Sequence, residues 1–240
     1  MKALIFDCDG VLVDTERDGH RVAFNQAFEE YGLDTVWDVD RYGELLKVAG
    51  GKERIRHHFE TTGWPDEAAD DPGDFVAKLH KRKTAIFKEI IASGKLPLRS
   101  GIVRMVDEAA AAGLRLGVCS TSAPDSVAGV LDLMGPGRKG KFEFLLAGDV
   151  VSKKKPDPEI YRLAKEHLGL PGADCMVIED SRNGLLAALG AQMPCLITTS
   201  TYTQDEDFSG AVKVVAELGD PPNVLVTLAE LESLASQQPA

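Results

Sequence analysis

Asp7 and Asp9 stand two residues apart, directly after the apolar run Ala3-Leu4-Ile5-Phe6 and just before Gly10. Acidic side chains are rarely buried unless paired or bound to a metal, so two of them where a buried strand opens into a crevice point to chemistry. A lone strand-ending Asp would read as a helix cap, but the second carboxylate and the glycine argue against that. A further pair, Glu179-Asp180, follows the apolar run Cys175-Met176-Val177-Ile178. Four carboxylates in one crevice cannot all stay ionised without a counter-ion. A hard divalent cation with oxygen ligands resolves the conflict, and Mg²⁺ is expected because it keeps several waters and bridges to phosphate.

Two more signals follow apolar runs. Ser120, Thr121 and Ser122 come after Leu116-Gly117-Val118-Cys119 and offer hydroxyls to phosphoryl oxygens, although Ser122, just before Ala123-Pro124-Asp125, reads best as a helix cap. In Lys155-Pro156-Asp157-Pro158, Asp157 as N-cap and Pro158 as the first helical residue account for a helix start. Lys155 is then left to neutralise clustered carboxylates and a phosphate, with Pro156 fixing the adjacent chain direction. Ser181 is expected to cap the helix after Asp180.

The elements that must position these residues can be read from the pattern. Strand candidates recur at Leu114–Cys119, Phe144–Ala147, Cys175–Ile178, Cys195–Thr198 and Val212–Val215, with helical patterns separating most of them. That alternation predicts an α/β fold, a doubly wound parallel sheet covered by helices on both faces. From about Thr15 to Ile91 the rhythm breaks and the pattern is helical, with Val22, Phe24, Ala27, Phe28 and Tyr31 as a buried stripe. The expected division is therefore a catalytic core of residues 1–14 and 97–240 with an inserted helical cap of residues 15–96. The two crossings, near 13–15 and 93–99, would form a lid hinge.

The chain has 240 residues and a net charge of −11, from 27 basic and 38 acidic side chains. This balance disfavours nonspecific binding to nucleic acid or to an anionic membrane, so an anionic substrate needs a locally basic pocket. Cys8, Cys119, Cys175 and Cys195 lie in or beside apolar runs without zinc-site spacing, and read as reduced thiols rather than nucleophiles. No apolar run is long enough to span a bilayer and none resembles a signal peptide. A soluble monomer is expected, in the cytoplasm or, in a photosynthetic eukaryote whose transit peptide has been removed, in the chloroplast stroma.

Through Asp7-x-Asp9-Gly10-Val11, Ser120, Lys155-Pro156 and Glu179-Asp180, in that order, the sequence resembles the haloacid dehalogenase-like phosphohydrolases over nearly its whole length. The resemblance implies a Rossmann-like core in which Asp7 attacks phosphorus to form an aspartyl-phosphate. It implies that Asp9 protonates the leaving oxygen and then activates water, and that Ser120 and Lys155 complete the catalytic set. Asp7, the Asp9 main-chain carbonyl and Asp180 would ligate Mg²⁺, with Glu179 supporting the site through water or hydrogen bonds.

The helical insertion resembles the small cap of β-phosphoglucomutase and of the CbbY-like sugar phosphatases. Glu16, His20, Arg21, Ala23, Phe24 and Asn25 are similar to the first cap helix of the CbbY-like group, and Gly50-Gly51-Lys52-Glu53-Arg54-Ile55 to its glycine-rich loop. Asp149, Lys153 to Pro156 and Tyr202-Thr203 fit the same group. Arg17-Asp18-Gly19 sets His20 one position later than in many relatives. Glu16, His20, Gly50, Gly51, Lys52, Arg54, Thr121 and Ser122 are the expected substrate-binding residues. The substrate that this resemblance implies is xylulose-1,5-bisphosphate, a misfire product and inhibitor of Rubisco in carbon fixation, hydrolysed to xylulose 5-phosphate. One phosphate would lie at Asp7 and the other on Lys52 and Arg54. A hexose-phosphate mutase would use the same phosphorylated Asp7, and the motifs do not separate the two fates. A phospho-aspartate signalling module is disfavoured by Asp9, which would hasten loss of the phosphate.

Overall fold

The structure, a computed structural model, describes residues 1–48 and 51–236, so the expected site residue Gly50 lies outside the described residues. The chain divides into two compact units, one of Met1–Asp14 with Pro97–Ala240 and one of Thr15–Leu96.

The first unit is built on six strands: β1 (Ala3–Phe6), β2 (Arg115–Ser120), β3 (Phe142–Ala147), β4 (Cys175–Glu179), β5 (Cys195–Thr198) and β6 (Lys213–Val215). They lie in the order β3-β2-β1-β4-β5-β6, and every pairing is parallel. All four residues of β1 are buried, as a strand covered on both faces requires, which is why its sequence is a continuous apolar run rather than an alternating one. The order changes direction at the β1/β4 pair, the place where open α/β sheets leave a crevice beyond their carboxyl ends. Phe6 pairs with Val118 on one side and Ile178 on the other, so Asp7, Cys119 and Glu179 come level one step later.

The second unit is helical. A π-helical turn at Glu16–His20 leads into α1 (Arg21–Glu30), followed by α2 (Val39–Leu45), α3 (Gly51–Thr62) and the long α4 (Pro72–Ala92). A π turn holds one residue more than an α turn, and here it spans the Arg17-Asp18-Gly19 stretch before His20. Its core is aromatic: Phe24, Phe28, Trp37 and Tyr42 are fully buried and pack ring to ring at centroid separations of 4.7–6.2 Å. Asp71 caps α4 by accepting from the Gly73 and Asp74 amides, with Pro72 at its start.

The remaining helices, α5 (Ile102–Ala111), α6 (Pro124–Asp132), α7 (Pro136–Lys139), α8 (Glu159–Leu168), α9 (Arg182–Gly190) and α10 (Leu228–Ser236), belong to the sheet unit. Among the described residues no helix is long and apolar enough to cross a membrane. Ser181 caps α9 by accepting from the Gly184 amide, as expected. Two other cap expectations are corrected. The residue before α6 is Ala123 and makes no side-chain cap, because the Ser122 hydroxyl is turned to Asp9 instead. Helix α8 begins one residue late, at Glu159, and Asp157 accepts from that residue's amide at 3.0 Å.

Candidate active site

Asp7 leaves β1 with its amide donating to the Ile178 carbonyl at 2.9 Å, so the backbone of the central strand pair fixes its position. Glu179, the last residue of β4, and Asp180 after it bring their carboxylates to the same place. Ligand atoms of Asp7, Glu179 and Asp180 all lie within 4.8 Å of one another, and all three residues are buried. The Lys155 ammonium sits among them, donating to Asp7 Oδ1 at 2.6 Å, Glu179 Oε1 at 2.5 Å and the Cys119 carbonyl at 3.0 Å. All three of its N–H donors are thereby used.

One cation does not balance three buried carboxylates. Burial, reinforced by Glu179 and Asp9 and only partly offset by Lys155, pushes Asp7 up to about 8. Burial and the charges of Glu179 and Asp7 push Asp180 well above the usual carboxylate range. The two acidic partners keep Lys155 firmly protonated in spite of its burial. Buried carboxylate oxygens in excess of their counter-charge are the donor set of a hard divalent cation, which would take up the charge that protons otherwise neutralise.

Within the cluster the three acids differ. Glu179 is committed to the protein on both oxygens: Oε1 accepts from Lys155 and from the Tyr161 hydroxyl at 2.6 Å, and Oε2 accepts from the Asp180 amide at 3.1 Å. It is a scaffold for Lys155 and Asp180. The Ser200 hydroxyl beside Asp180 favours its charged form and partly offsets the rise. The Asp9 carboxylate stands apart from this trio and accepts from the Ser122 hydroxyl through Oδ2. Ser120 is buried and accepts from the Ser122 amide at 3.1 Å, whereas Thr121 is exposed.

Two glycines make this crowding sterically possible. Gly10 turns with a φ of +82°, and a Cβ there would fall 2.0 Å from Asp180 Oδ2. A Cβ on Gly184 would fall 1.9 Å from the Glu179 carboxyl carbon. Gly184, Tyr161 and Ser200 were not singled out from sequence. Tyr161 looks like one more member of the apolar stripe of α8, and only the fold turns its hydroxyl onto Glu179. The four cysteines are free and buried, and burial raises all of their thiols, so none is an activated nucleophile.

The substrate-binding residues expected in the helical unit form two groups. In the first, Glu16 Oε2 accepts from the Tyr42 hydroxyl at 2.5 Å, and Tyr42 in turn accepts from Arg54 Nη1 at 2.8 Å. Arg54 Nε donates to the Leu45 carbonyl at 3.1 Å. Arg54 is therefore a buried tie between α3 and α2, while Lys52, two positions earlier on the same helix, is exposed. Residues two apart on a helix do not share a face, so the two side chains leave α3 in different directions. In the second group His20 stacks on Phe87, centroids 3.8 Å apart, and pairs through Nδ1 with the Lys83 ammonium at 2.8 Å. An ammonium can only donate, so Nδ1 accepts and the proton of the neutral ring resides on Nε2. Burial and the neighbouring Lys83, Arg54 and His80 charges hold His20 well below its usual value. Gly51 opens α3 with His80 Nε2 only 2.6 Å from where a side chain would begin. Lys83 and His80 carry no sequence signal beyond positions on an amphipathic helix.

Known proteins resemble this chain over most of its length. Residues 1–192 match the family model of the haloacid dehalogenase-like hydrolases. A CBBY-like protein of Arabidopsis thaliana is 50% identical over 240 residues, covering 98% of this chain and 75% of that protein. Protein CbbY of Cupriavidus necator is 43% identical over 223 residues, covering 92% and 87%. The crystal structure of a mutant CbbY of Rhodobacter sphaeroides in complex with xylulose-(1,5)bisphosphate superposes with a TM-score of 0.79 at 38% identity, over 96% of this chain and 99% of that one. The ordered acidic motifs, the switch-point cluster and these matches together make the chain a member of the haloacid dehalogenase-like hydrolases, in their CbbY-like group.

Proposed function

We propose that this chain is a Mg²⁺-dependent sugar-phosphate phosphatase that works through an aspartyl-phosphate on Asp7, and that its substrate is xylulose-1,5-bisphosphate. The observation that carries the reading is the Asp7 carboxylate held 2.6 Å from the Lys155 ammonium at the sheet's switch point, with Glu179 and Asp180 in reach. The relative that binds xylulose-(1,5)bisphosphate supports the choice of substrate.

Asp7, Asp180 and the Asp9 main-chain carbonyl would hold Mg²⁺, which offsets the repulsion between Asp7 and a phosphate dianion. Lys155 adds a fixed positive charge beside Asp7 and is itself immobilised by Glu179, so little rearrangement is needed as charge develops. An Asp7 oxygen bonds to phosphorus as the bond from phosphorus to the sugar oxygen breaks, and Asp9 gives its proton to that oxygen. Asp9, now a carboxylate held by the Ser122 hydroxyl, takes a proton from water. The water oxygen bonds to phosphorus, the bond to Asp7 breaks, and inorganic phosphate leaves with both aspartates restored. For the second phosphate, Lys52 is the exposed cation on the first turn of α3, while Arg54 holds Tyr42, whose hydroxyl in turn donates to Glu16.

The test is product analysis with Mg²⁺. Xylulose-1,5-bisphosphate should yield equal amounts of xylulose 5-phosphate and inorganic phosphate, and β-glucose 1-phosphate should give no glucose 6-phosphate. Isomer formation without phosphate release would assign the chain to the mutases instead. Rapid acid quench with radiolabelled substrate should trap label on the protein, and the absence of any labelled protein in single turnovers would remove the covalent step.

A further inference from the structure

The turn that carries Asp9 closes on itself: the Gly10 amide donates to the Val13 carbonyl at 2.8 Å and the Leu12 amide to the Cys8 carbonyl at 2.9 Å, with a bridge between Asp9 and Val13. The turn's own bonds use those amides but leave the Gly10 and Leu12 carbonyls to find donors elsewhere. Both go to one residue. The Arg99 main-chain amide donates to Leu12 at 2.9 Å, and its Nη1 donates to Gly10. The same guanidinium reaches the Thr198 carbonyl at 3.2 Å and the Thr199 carbonyl at 2.7 Å at the end of β5, and the Ala216 carbonyl just after β6.

We propose that Arg99 is a positioning residue for the catalytic turn, fastening the segment that carries Asp9 to the carboxyl ends of β5 and β6. The inference rests on the functional reading above. No neutral side chain could replace the guanidinium, because only a planar fork with five N–H donors serves carbonyls from three separate segments at once. The Gly10 peptide is the sensitive point. Its Cα is packed so closely on Asp180 that a Cβ would fall 2.0 Å from Oδ2, so letting Gly10 move changes the spacing of both Asp9 and Asp180 from Asp7.

Arg104 is an internal control for the merely structural reading. It also grips backbone carbonyls, those of Leu218, Gly219 and Val226 at 2.8–3.1 Å, but none in the catalytic turn. The experiment compares Arg99→Met, Arg99→Lys and Arg104→Met for melting temperature, Mg²⁺-dependent hydrolysis of acetyl phosphate, and amide hydrogen exchange in residues 8–13. For Arg99→Met, kcat should fall by roughly 10²-fold with KM changed by less than about threefold, since a displacement near 1 Å can cost that much. Exchange in residues 8–13 should accelerate, and added guanidinium at tens of millimolar should restore part of kcat. Arg104→Met should lose melting temperature while keeping kcat and slow exchange in residues 8–13. If Arg99→Met does not fold, Arg99→Lys, which keeps the charge but not the fork, should show the same pattern in weaker form. An Arg99 variant that loses no more kcat than Arg104→Met, or leaves exchange in residues 8–13 unchanged, overturns the proposal. A wild-type protein that hydrolyses neither acetyl phosphate nor xylulose-1,5-bisphosphate would instead overturn the proposed phosphatase, and the exchange comparison would still decide the role of Arg99.

Discussion

The two units bury ionisable side chains in opposite ways. The sheet unit buries acids: Asp7, Glu179 and Asp180 crowd around one lysine, and burial raises Asp7 and Asp180. The helical unit buries bases: Arg54 and Lys83 are almost inaccessible, and burial lowers His20, His58 and His80. The first arrangement stores negative charge that invites a cation. The second keeps imidazoles neutral beside fixed positive charges, a setting that favours an incoming anion. The proposed function places chemistry in the first unit and recognition of the second phosphate in the other, so the two can be broken separately.

The largest break should come from Asp7→Asn, which keeps the shape but removes the attacking oxygen's charge. We expect turnover of every phosphate ester to fall by ~10⁴-fold or more, in line with the loss of other nucleophiles. Turnover within tenfold of wild type would end the assignment of Asp7. The same variant should melt higher than wild type at pH 8 in chelator, because it removes a buried group that costs stability when ionised. Asp9→Asn should cost ~10²–10⁴-fold in kcat, the usual share of acid–base assistance. Unchanged kcat at neutral pH would place the proton elsewhere.

The helical unit should respond differently. Lys52→Ala should lower kcat/KM for the bisphosphate by about tenfold, the value of one charge-assisted hydrogen bond. Acetyl phosphate hydrolysis should be unchanged, and equal loss on both substrates would show that Lys52 does not read the second phosphate. Arg54→Met should instead destabilise the helical unit by about 2–3 kcal/mol, since it strips hydrogen bonds from the Tyr42 hydroxyl and the Leu45 carbonyl in a buried setting. Both tryptophans, Trp37 and Trp64, lie in this unit, so urea unfolding followed by fluorescence reads it directly.

The smallest effect sharpens the comparison through pH. Asp7 is raised from 3.8 to about 8, so its contribution to stability is full below about pH 4 and is lost as pH rises through 8. The histidines are lowered from 6.5, His58 to about 4, so theirs is present above pH 6.5 and lost as pH falls towards 4. The exposed pairs that hold Asp107 and Glu143 low oppose the Asp7 trend, but solvent screening makes them weak. In chelator, taking the protein from pH 7 to 4.5 should therefore lower the tryptophan-detected midpoint more than the midpoint read by hydrogen exchange in residues 175–180. Parallel shifts would mean that the buried groups do not control the pH response of either unit.

Much of the sheet unit was legible because its signals are local. The central strands are short apolar runs, and each acidic or hydroxyl signal follows one, so strand ends and candidate site residues coincide in the sequence. The errors at Ser122 and Asp157 have one cause. A residue before a helix can serve the helix or something distant, and in Ser122 the Asp9 carboxylate is the partner taken. The helical unit was less legible. An amphipathic pattern shows which face is buried but not that Arg54 belongs to it, nor that Lys83 meets His20 from 63 positions away. From the sequence, Lys52 and Arg54 read as two basic residues after a glycine pair, and only the helix shows that they point in different directions.

The sequence by itself determined the fold class, the central strand and the identity of the acids at its end, because backbone periodicity and the cost of buried charge act over a few residues. Only the tertiary structure decided which groups support those acids. Tyr161 on Glu179 and Arg99 on Gly10 are set by contacts between segments far apart in the chain, and the need for glycine at 184 by its close packing on Glu179. A hydrogen bond or a close packing distance depends on positions in space, and no local pattern encodes them.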